Sequence, residues 1–127
     1  MKNTIQTLVV DDQETMRIFM TRVLNTLGYK CDTASNGQEC LNLCETKTYD
    51  VIFLDLVMPV LDGEACLKEL TAKYPETDVI LISVNDDEDS VDTILQAGAT
   101  AYLCKPFKLE VVQTVMSQLK EKREQST

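Results

Sequence analysis

Two adjacent carboxylates, Asp11 and Asp12, close the apolar run Leu8-Val9-Val10. A third, Asp55, closes Val51-Ile52-Phe53-Leu54. Ser83 closes Val79-Ile80-Leu81-Ile82, and Lys105 follows Ala101-Tyr102-Leu103-Cys104. Carboxylates are hard oxygen ligands that suit Mg²⁺, and a divalent cation would offset their mutual repulsion. Asp55 is of the type that forms aspartyl phosphates as a nucleophile. Phosphoryl transfer needs mainly positioning and charge neutralisation. The Lys105 ammonium supplies charge, and the Ser83 hydroxyl is able to bond a phosphoryl oxygen.

Each residue alone also has an ordinary reading. Asp12 is a good N-cap for the helix that follows it. Asp55 suits the end of a strand before the turn-forming stretch Pro59-Val60-Leu61-Asp62-Gly63. Ser83 suits a strand-end hydroxyl bonded to backbone, and Lys105 is able to snorkel to solvent. The chemistry is carried by all four strand ends together.

Those side chains meet only if the runs are parallel neighbours. Five apolar, β-branched runs, at 4–10, 30–34, 51–54, 79–83 and 101–104, alternate with five segments of helical period. Val51-Ile52-Phe53-Leu54 and Val79-Ile80-Leu81-Ile82 are apolar on both faces, as a strand covered from both sides requires. Met16, Met20, Val23, Leu24 and Leu27 follow 3–4 spacing, as do Val112, Val115, Met116 and Leu119. Gly28 and Gly98 stand where helix C-termini are capped, and Pro75 stops the third helix. This alternation predicts an open α/β sheet with helices on both faces. Such sheets bind ligands beyond the carboxyl ends of their strands.

A length of 127 residues suits one domain spanning 1–127, with an ordered core at about 4–120 and a polar tail at 121–127. No run approaches the ~20 apolar residues of a membrane helix, and the start has no secretory signal. A cytoplasmic protein without membrane insertion is expected. Five cysteines, with no Cys-x-x-Cys, argue against a disulfide framework. Cys40 and Cys44 share a helix face, but two thiols make a poor zinc site. A net charge of −9 disfavours nucleic-acid binding by this domain. Histidine is absent, which removes Ser-His-Asp and Cys-His catalysis. Neither Gly-x-Gly-x-x-Gly nor Gly-x-x-x-x-Gly-Lys is present.

The sequence resembles the receiver domain of two-component response regulators. The matching pieces are Val9-Val10-Asp11-Asp12, the stretch 50–59, Asp62-Gly63, Leu81-Ile82-Ser83, and Gly98-Ala99 followed by Tyr102-Leu103-Cys104-Lys105-Pro106-Phe107. They cover nearly the whole chain. The resemblance implies a single flavodoxin-like (βα)5 domain, a doubly wound parallel sheet of order 2-1-3-4-5. It implies a phosphorylation-dependent switch, not an enzyme with a separate substrate. Asp55 would accept a phosphoryl group from a histidine kinase or phosphotransfer protein. Asp11, Asp12, Asp55 and the backbone carbonyl of Val57 would bind Mg²⁺. Lys105 would contact the phosphoryl group, with a cis bond to Pro106. Ser83 and Tyr102 would move together and remodel the face of the fourth helix, fifth strand and fifth helix, controlling a downstream protein target or a detached output domain. The resemblance allows either a monomer or a phosphorylation-induced dimer.

Some positions depart from the family's common choices. Val57 is apolar and cannot hold an attacking water through its side chain, which predicts a long-lived phosphorylated form. Val84 is bulkier than the small residue common beside the switch hydroxyl, which predicts restriction of Tyr102. A phosphohydrolase of haloacid-dehalogenase type usually has a second aspartate where Val57 stands. A constitutive binding module would not need the set Asp11, Asp12, Asp55, Ser83 and Lys105.

Overall fold

The computed structural model describes residues 5–56, 63–84 and 88–125. Strands and helices alternate strictly: β1 (Gln6–Val10), α1 (Glu14–Thr26), β2 (Lys30–Ala34), α2 (Gly37–Thr46), β3 (Val51–Asp55), α3 (Gly63–Lys73), β4 (Asp78–Ser83), α4 (Glu88–Gln96), β5 (Ala101–Cys104) and α5 (Leu109–Gln125). The five strands form one parallel sheet in the order β2-β1-β3-β4-β5, as expected.

Strand side chains alternate between faces, and the central strands show both sides filled. Leu8, Val10, Ile52, Leu54, Val79 and Leu81 pack with Cys40, Leu41, Leu67, Leu70 and Ile94 from α2, α3 and α4. Val9, Val51, Phe53, Ile80, Ile82 and Leu103 pack with Met20, Leu24, Val112, Met116 and Leu119 from α1 and α5. Burying each large apolar side chain stabilises by about 1.5–3 kcal/mol, so the two cores fix both register and layering.

Local signals set the helix ends. Gly28 has φ +95, a left-handed conformation that favours glycine. It allows the Tyr29 N–H to reach the Leu24 carbonyl at 2.9 Å and the Gly28 N–H to reach Asn25 at 3.0 Å. Those paired bonds close α1 as a Schellman motif. Asn36 caps α2 by accepting from the Glu39 N–H at 2.8 Å, while Glu39 accepts from the Ser35 N–H. Asp12 does not cap α1. Gln13 holds that position, without a side-chain capping bond. Asp12 is left exposed at the strand rim.

The tail expected after residue 120 is instead helix, because α5 runs to Gln125. Its last turn is anchored. The Arg123 guanidinium donates to the Asp50 carbonyl at 2.5 Å and to the Asp78 carboxylate at 3.0 Å, and Lys122 reaches Asp78 at 3.0 Å. Asp78 begins β4 and is buried, so it needs these partners. The anchor binds α5 to the amino end of the sheet, opposite the rim that carries Asp55. Arg123→Ala is expected to lower stability by about 1–3 kcal/mol through the loss of hydrogen bonds to buried groups. Truncation after Lys120 should cost more, because it removes Lys122 as well. Urea unfolding checks both.

Candidate functional site

The sheet order places the carboxyl ends of β1, β3, β4 and β5 side by side, so residues far apart in sequence share one rim. Asp11 directly follows β1, and its N–H bonds to the Ala34 carbonyl at 3.1 Å, which extends the β1–β2 ladder by one residue. Asp55 ends β3 opposite Ile82. Ser83 ends β4 opposite Cys104, and the Lys105 N–H bonds to the Ser83 carbonyl at 2.7 Å.

The side chains converge as the spacing predicts. Carboxylate oxygens of Asp11, Asp12 and Asp55 all lie within 4.8 Å of one another. Lys105 Nζ is 3.2 Å from Asp11 Oδ2 and 3.9 Å from Asp55 Oδ2. Asp12, Gln13, Asp55, Ser83, Val84 and Lys105 line a cleft of about 220 Å³. Asp11 is 1% exposed and Asp55 5%, yet both belong to an acidic set that has a single ammonium beside it. Burial of charge is costly unless it is paired. Three carboxylates against one ammonium leave two negative charges, the deficit a divalent cation would fill. Mg²⁺ ligands at about 2.0–2.1 Å stand roughly 3–4 Å apart in an octahedron, so small side-chain adjustments bring this donor set to the metal. The residues present therefore fit a hard divalent cation.

Three further groups hold the rim in shape. Asp11 Oδ1 accepts from the Gln13 N–H at 2.9 Å, and the Arg17 guanidinium donates to the Asp11 carbonyl at 2.7 Å. Gly63 opens α3 against the end of β3, with its N–H on the Leu56 carbonyl at 2.9 Å. A Cβ at Gly63 would collide with the Asp55 carbonyl oxygen and with Leu56 Cα, so no other residue lets α3 approach the end of β3 this closely. Sequence reasoning missed Gln13 and Arg17. Their only signal was their place in the first turn after the aspartate pair.

Tyr102, on β5, pairs with Leu81 and packs against the α2–α3–α4 core. Its hydroxyl is buried and has no hydrogen-bond partner among the described residues. Val84 is 75% exposed and presents its carbonyl to the Cys104 thiol at 3.7 Å. The Lys105–Pro106 peptide bond is cis, as expected. Val57, named as a metal ligand through its carbonyl, lies outside the described residues, as does Asn85.

A family model, the response regulator receiver domain, matches residues 7–117. The chain belongs to this family. Receiver domains are phosphoacceptor signalling domains of two-component systems, phosphorylation-dependent switches and not enzymes in the usual sense. The chain is 36% identical over 117 residues to the probable C4-dicarboxylate response regulator DctR of Bacillus subtilis, covering 90% of this chain and 51% of that one. It is 37% identical over 102 residues to the DNA-binding transcriptional regulator NtrC of Klebsiella pneumoniae, covering 80% of this chain and 22% of that one. The receiver thus spans about half of one relative and about a fifth of the other. Among solved structures, the receiver domain of Francisella response regulator 1452 superposes with a TM-score of 0.89 at 32% identity, covering 94% of this chain and 99% of that one. The Vibrio cholerae chemotaxis protein CheY4 gives 0.85 at 27% identity, over 91% and 98%. Among the described residues, no helix of this receiver is long and apolar enough to cross a membrane.

Among the described residues, Lys105 forms ion pairs with both buried carboxylates, Asp11 and Asp55. Lys105→Ala is expected to lower stability in metal-free buffer by about 1–3 kcal/mol, because it leaves buried charge uncompensated. Asp55→Asn should recover part of that loss by removing one of the opposed charges. A double-mutant cycle read by urea unfolding in chelator checks the coupling.

Proposed function

We propose that Asp55 is the phosphoacceptor and that Asp11, Asp12 and Asp55 hold Mg²⁺, with the Val57 backbone carbonyl as a further ligand. The observation that carries this reading is the two-charge deficit at a small cleft whose walls include a carboxylate, an ammonium and a hydroxyl. When bound, Mg²⁺ supplies positive charge for the equatorial oxygens of the transferring group and offsets carboxylate repulsion.

The chain's own residues do the rest. An Asp55 oxygen attacks phosphorus in line while the donor's leaving nitrogen or oxygen departs on the opposite side. Lys105 stays ion-paired to Asp11 until the phosphoryl group arrives and then shares its ammonium with a phosphoryl oxygen. Ser83 donates its hydroxyl to another oxygen. Gly63 and the first turn of α3 brace the end of β3, so the acceptor carboxylate does not swing away. With histidine absent from these 127 residues, the donor lies outside them, on a histidine kinase or a phosphotransfer protein, or is a small acyl phosphate.

The output follows from position. Movement of Ser83 toward the phosphoryl group shifts the end of β4, and the buried Tyr102 ring adjusts behind it. The α4-β5-α5 face then changes its partner preference by a population shift between two states. The partner is a separate protein or an output domain of a longer regulator, as the partial coverage of DctR and NtrC favours. At a net charge of −9, contact with DNA belongs to such an output domain and not to the receiver. A phosphorylation-induced dimer through the same face is compatible with this reading, and so is a monomer. The cytoplasm is the compartment where such kinases act.

Acetyl phosphate with Mg²⁺ is expected to phosphorylate the protein, as read by intact-protein mass spectrometry. Asp55→Asn should abolish the added mass, and labelling of that variant at the wild-type level would overturn the assignment. Mg²⁺ alone should stabilise the folded state by mass action, by about 2.7 kcal/mol at a hundred times its dissociation constant. Asp12→Asn should remove most of that gain while leaving the metal-free protein folded. Thermal unfolding with and without Mg²⁺ measures it.

A further inference from the structure

Three thiols meet at the seam between α2 and α3, in the core layer beneath the sheet face that those helices cover. Cys40 and Cys44 lie one turn apart on α2, and Cys66 faces them from α3. All three sit in one packed cluster. Cys40 is central by position, one turn of α2 before Cys44. Cys66 also directs its Sγ at the Gly37 carbonyl, 3.8 Å away, one turn before Cys40. Cys40 and Cys66 are fully buried, whereas Cys44 is 8% exposed at the edge of the seam.

We propose that hydroperoxide oxidation joins Cys40 and Cys66 in a disulfide that ties α2 to α3 behind the phosphoacceptor strand. Geometry selects the pair. Side chains four apart on a helix have Cβ atoms about 5–6 Å apart, whereas a disulfide needs about 3.5–4.5 Å. Cys40 and Cys44 therefore cannot stay bonded without distorting α2, while the Cys66 sulfur already stands against the first turn of α2, one turn from Cys40 and two from Cys44. Contact with Cys40 draws the Cys44 thiol below its usual range, and the same contacts together with burial push Cys40 up. Cys44, at the exposed edge of the seam, is the thiol a peroxide meets first and is the entry point.

The steps balance. The Cys44 thiolate attacks one peroxide oxygen, the O–O bond breaks, and the released hydroxide takes up the thiol proton, leaving Cys44 sulfenic acid and water. Cys40 attacks the Cys44 sulfur and expels a second water, giving a strained Cys40–Cys44 bond. Cys66 then attacks the Cys40 sulfur, and Cys44 leaves and regains a proton. In sum, two thiols and one hydrogen peroxide yield one disulfide and two waters.

The bond would be felt at the acceptor. Cys66 lies one turn after Gly63, which touches the Asp55 carbonyl and Leu56 without space for a Cβ. A shift of α3 toward α2 must therefore move the end of β3 or loosen its brace. This second consequence rests on the reading of Asp55 as phosphoacceptor, whereas the disulfide itself does not.

The test treats the reduced wild-type chain with hydrogen peroxide, alkylates the remaining thiols and maps peptides without reduction. A Cys40–Cys66 crosslink is expected, with Cys31 and Cys104 alkylated. Cys40→Ala and Cys66→Ala should abolish it, and Cys44→Ala should slow it. Five free thiols after treatment, or a crosslink elsewhere, overturn the proposal without reliance on any variant. Phosphorylation by acetyl phosphate should then be about tenfold slower in the oxidised wild type, as sub-ångström misplacement of reacting groups predicts, and unchanged by peroxide in Cys66→Ala. A mapped disulfide with undiminished phosphorylation overturns the coupling alone. A mapped disulfide in a protein that takes no label in either state counts against Asp55 and not against the thiols.

Discussion

Among the described residues, one ammonium, that of Lys105, faces a crowd of negative charge. It stands 3.2 Å from one buried carboxylate and 3.9 Å from another, with a third acidic side chain close by. Two unit charges 4 Å apart interact by about 4 kcal/mol at the effective dielectric of a protein surface. The carboxylates would spread apart if the backbone let them. It does not, because Asp11 continues β1 and Asp55 is the last paired residue of β3. The sheet thus holds like charges together against their repulsion, and that held imbalance is what a bound divalent cation would offset.

The rest of the fold serves this constraint. Two apolar layers bury the central strands completely, so β1, β3 and β4 are unable to slide by a residue without turning every side chain to the wrong face. At the far end of the sheet the Arg123 and Lys122 anchor fixes α5 to the start of β4. At the near end Gly63 lets α3 lean directly on the acceptor strand.

Much of this was legible in the sequence, for identifiable reasons. Runs apolar on both faces leave few folds other than a covered parallel sheet, and the polar residue that ends each run then has one place to be. Asp11, Asp12, Asp55, Ser83 and Lys105 were found that way. The order 2-1-3-4-5 was not derivable from periodicity and came from the family resemblance. Two local readings failed. Asp12 looked like an N-cap, but the chain begins α1 one residue later, at Gln13, which leaves Asp12 in the cluster. The segment after Lys120 looked like a frayed tail because its residues are polar. Its order comes from Asp50 and Asp78, some 45 to 73 residues away in the chain, and no local pattern records that distance. The thiol cluster was half visible. Cys40 and Cys44 share a face by spacing alone, but the third member depends on how α3 packs.

Tyr102 shows why such a scaffold can still switch. Its ring gains from packing against the α2–α3–α4 core, while its hydroxyl is buried without a partner among the described residues. An unsatisfied buried hydroxyl costs about 1–3 kcal/mol, which offsets much of what ring burial contributes. The ring therefore has no deep well. On the proposed reading, a rigid rim next to a side chain of near-balanced energy would let a single new hydrogen bond at Ser83 change populations, and the neighbouring face would respond without any rearrangement of the sheet. The exposed Val84 bears on that balance less than its bulk suggested, since its side chain points to solvent and leaves the ring's own hydroxyl as the larger opposing term.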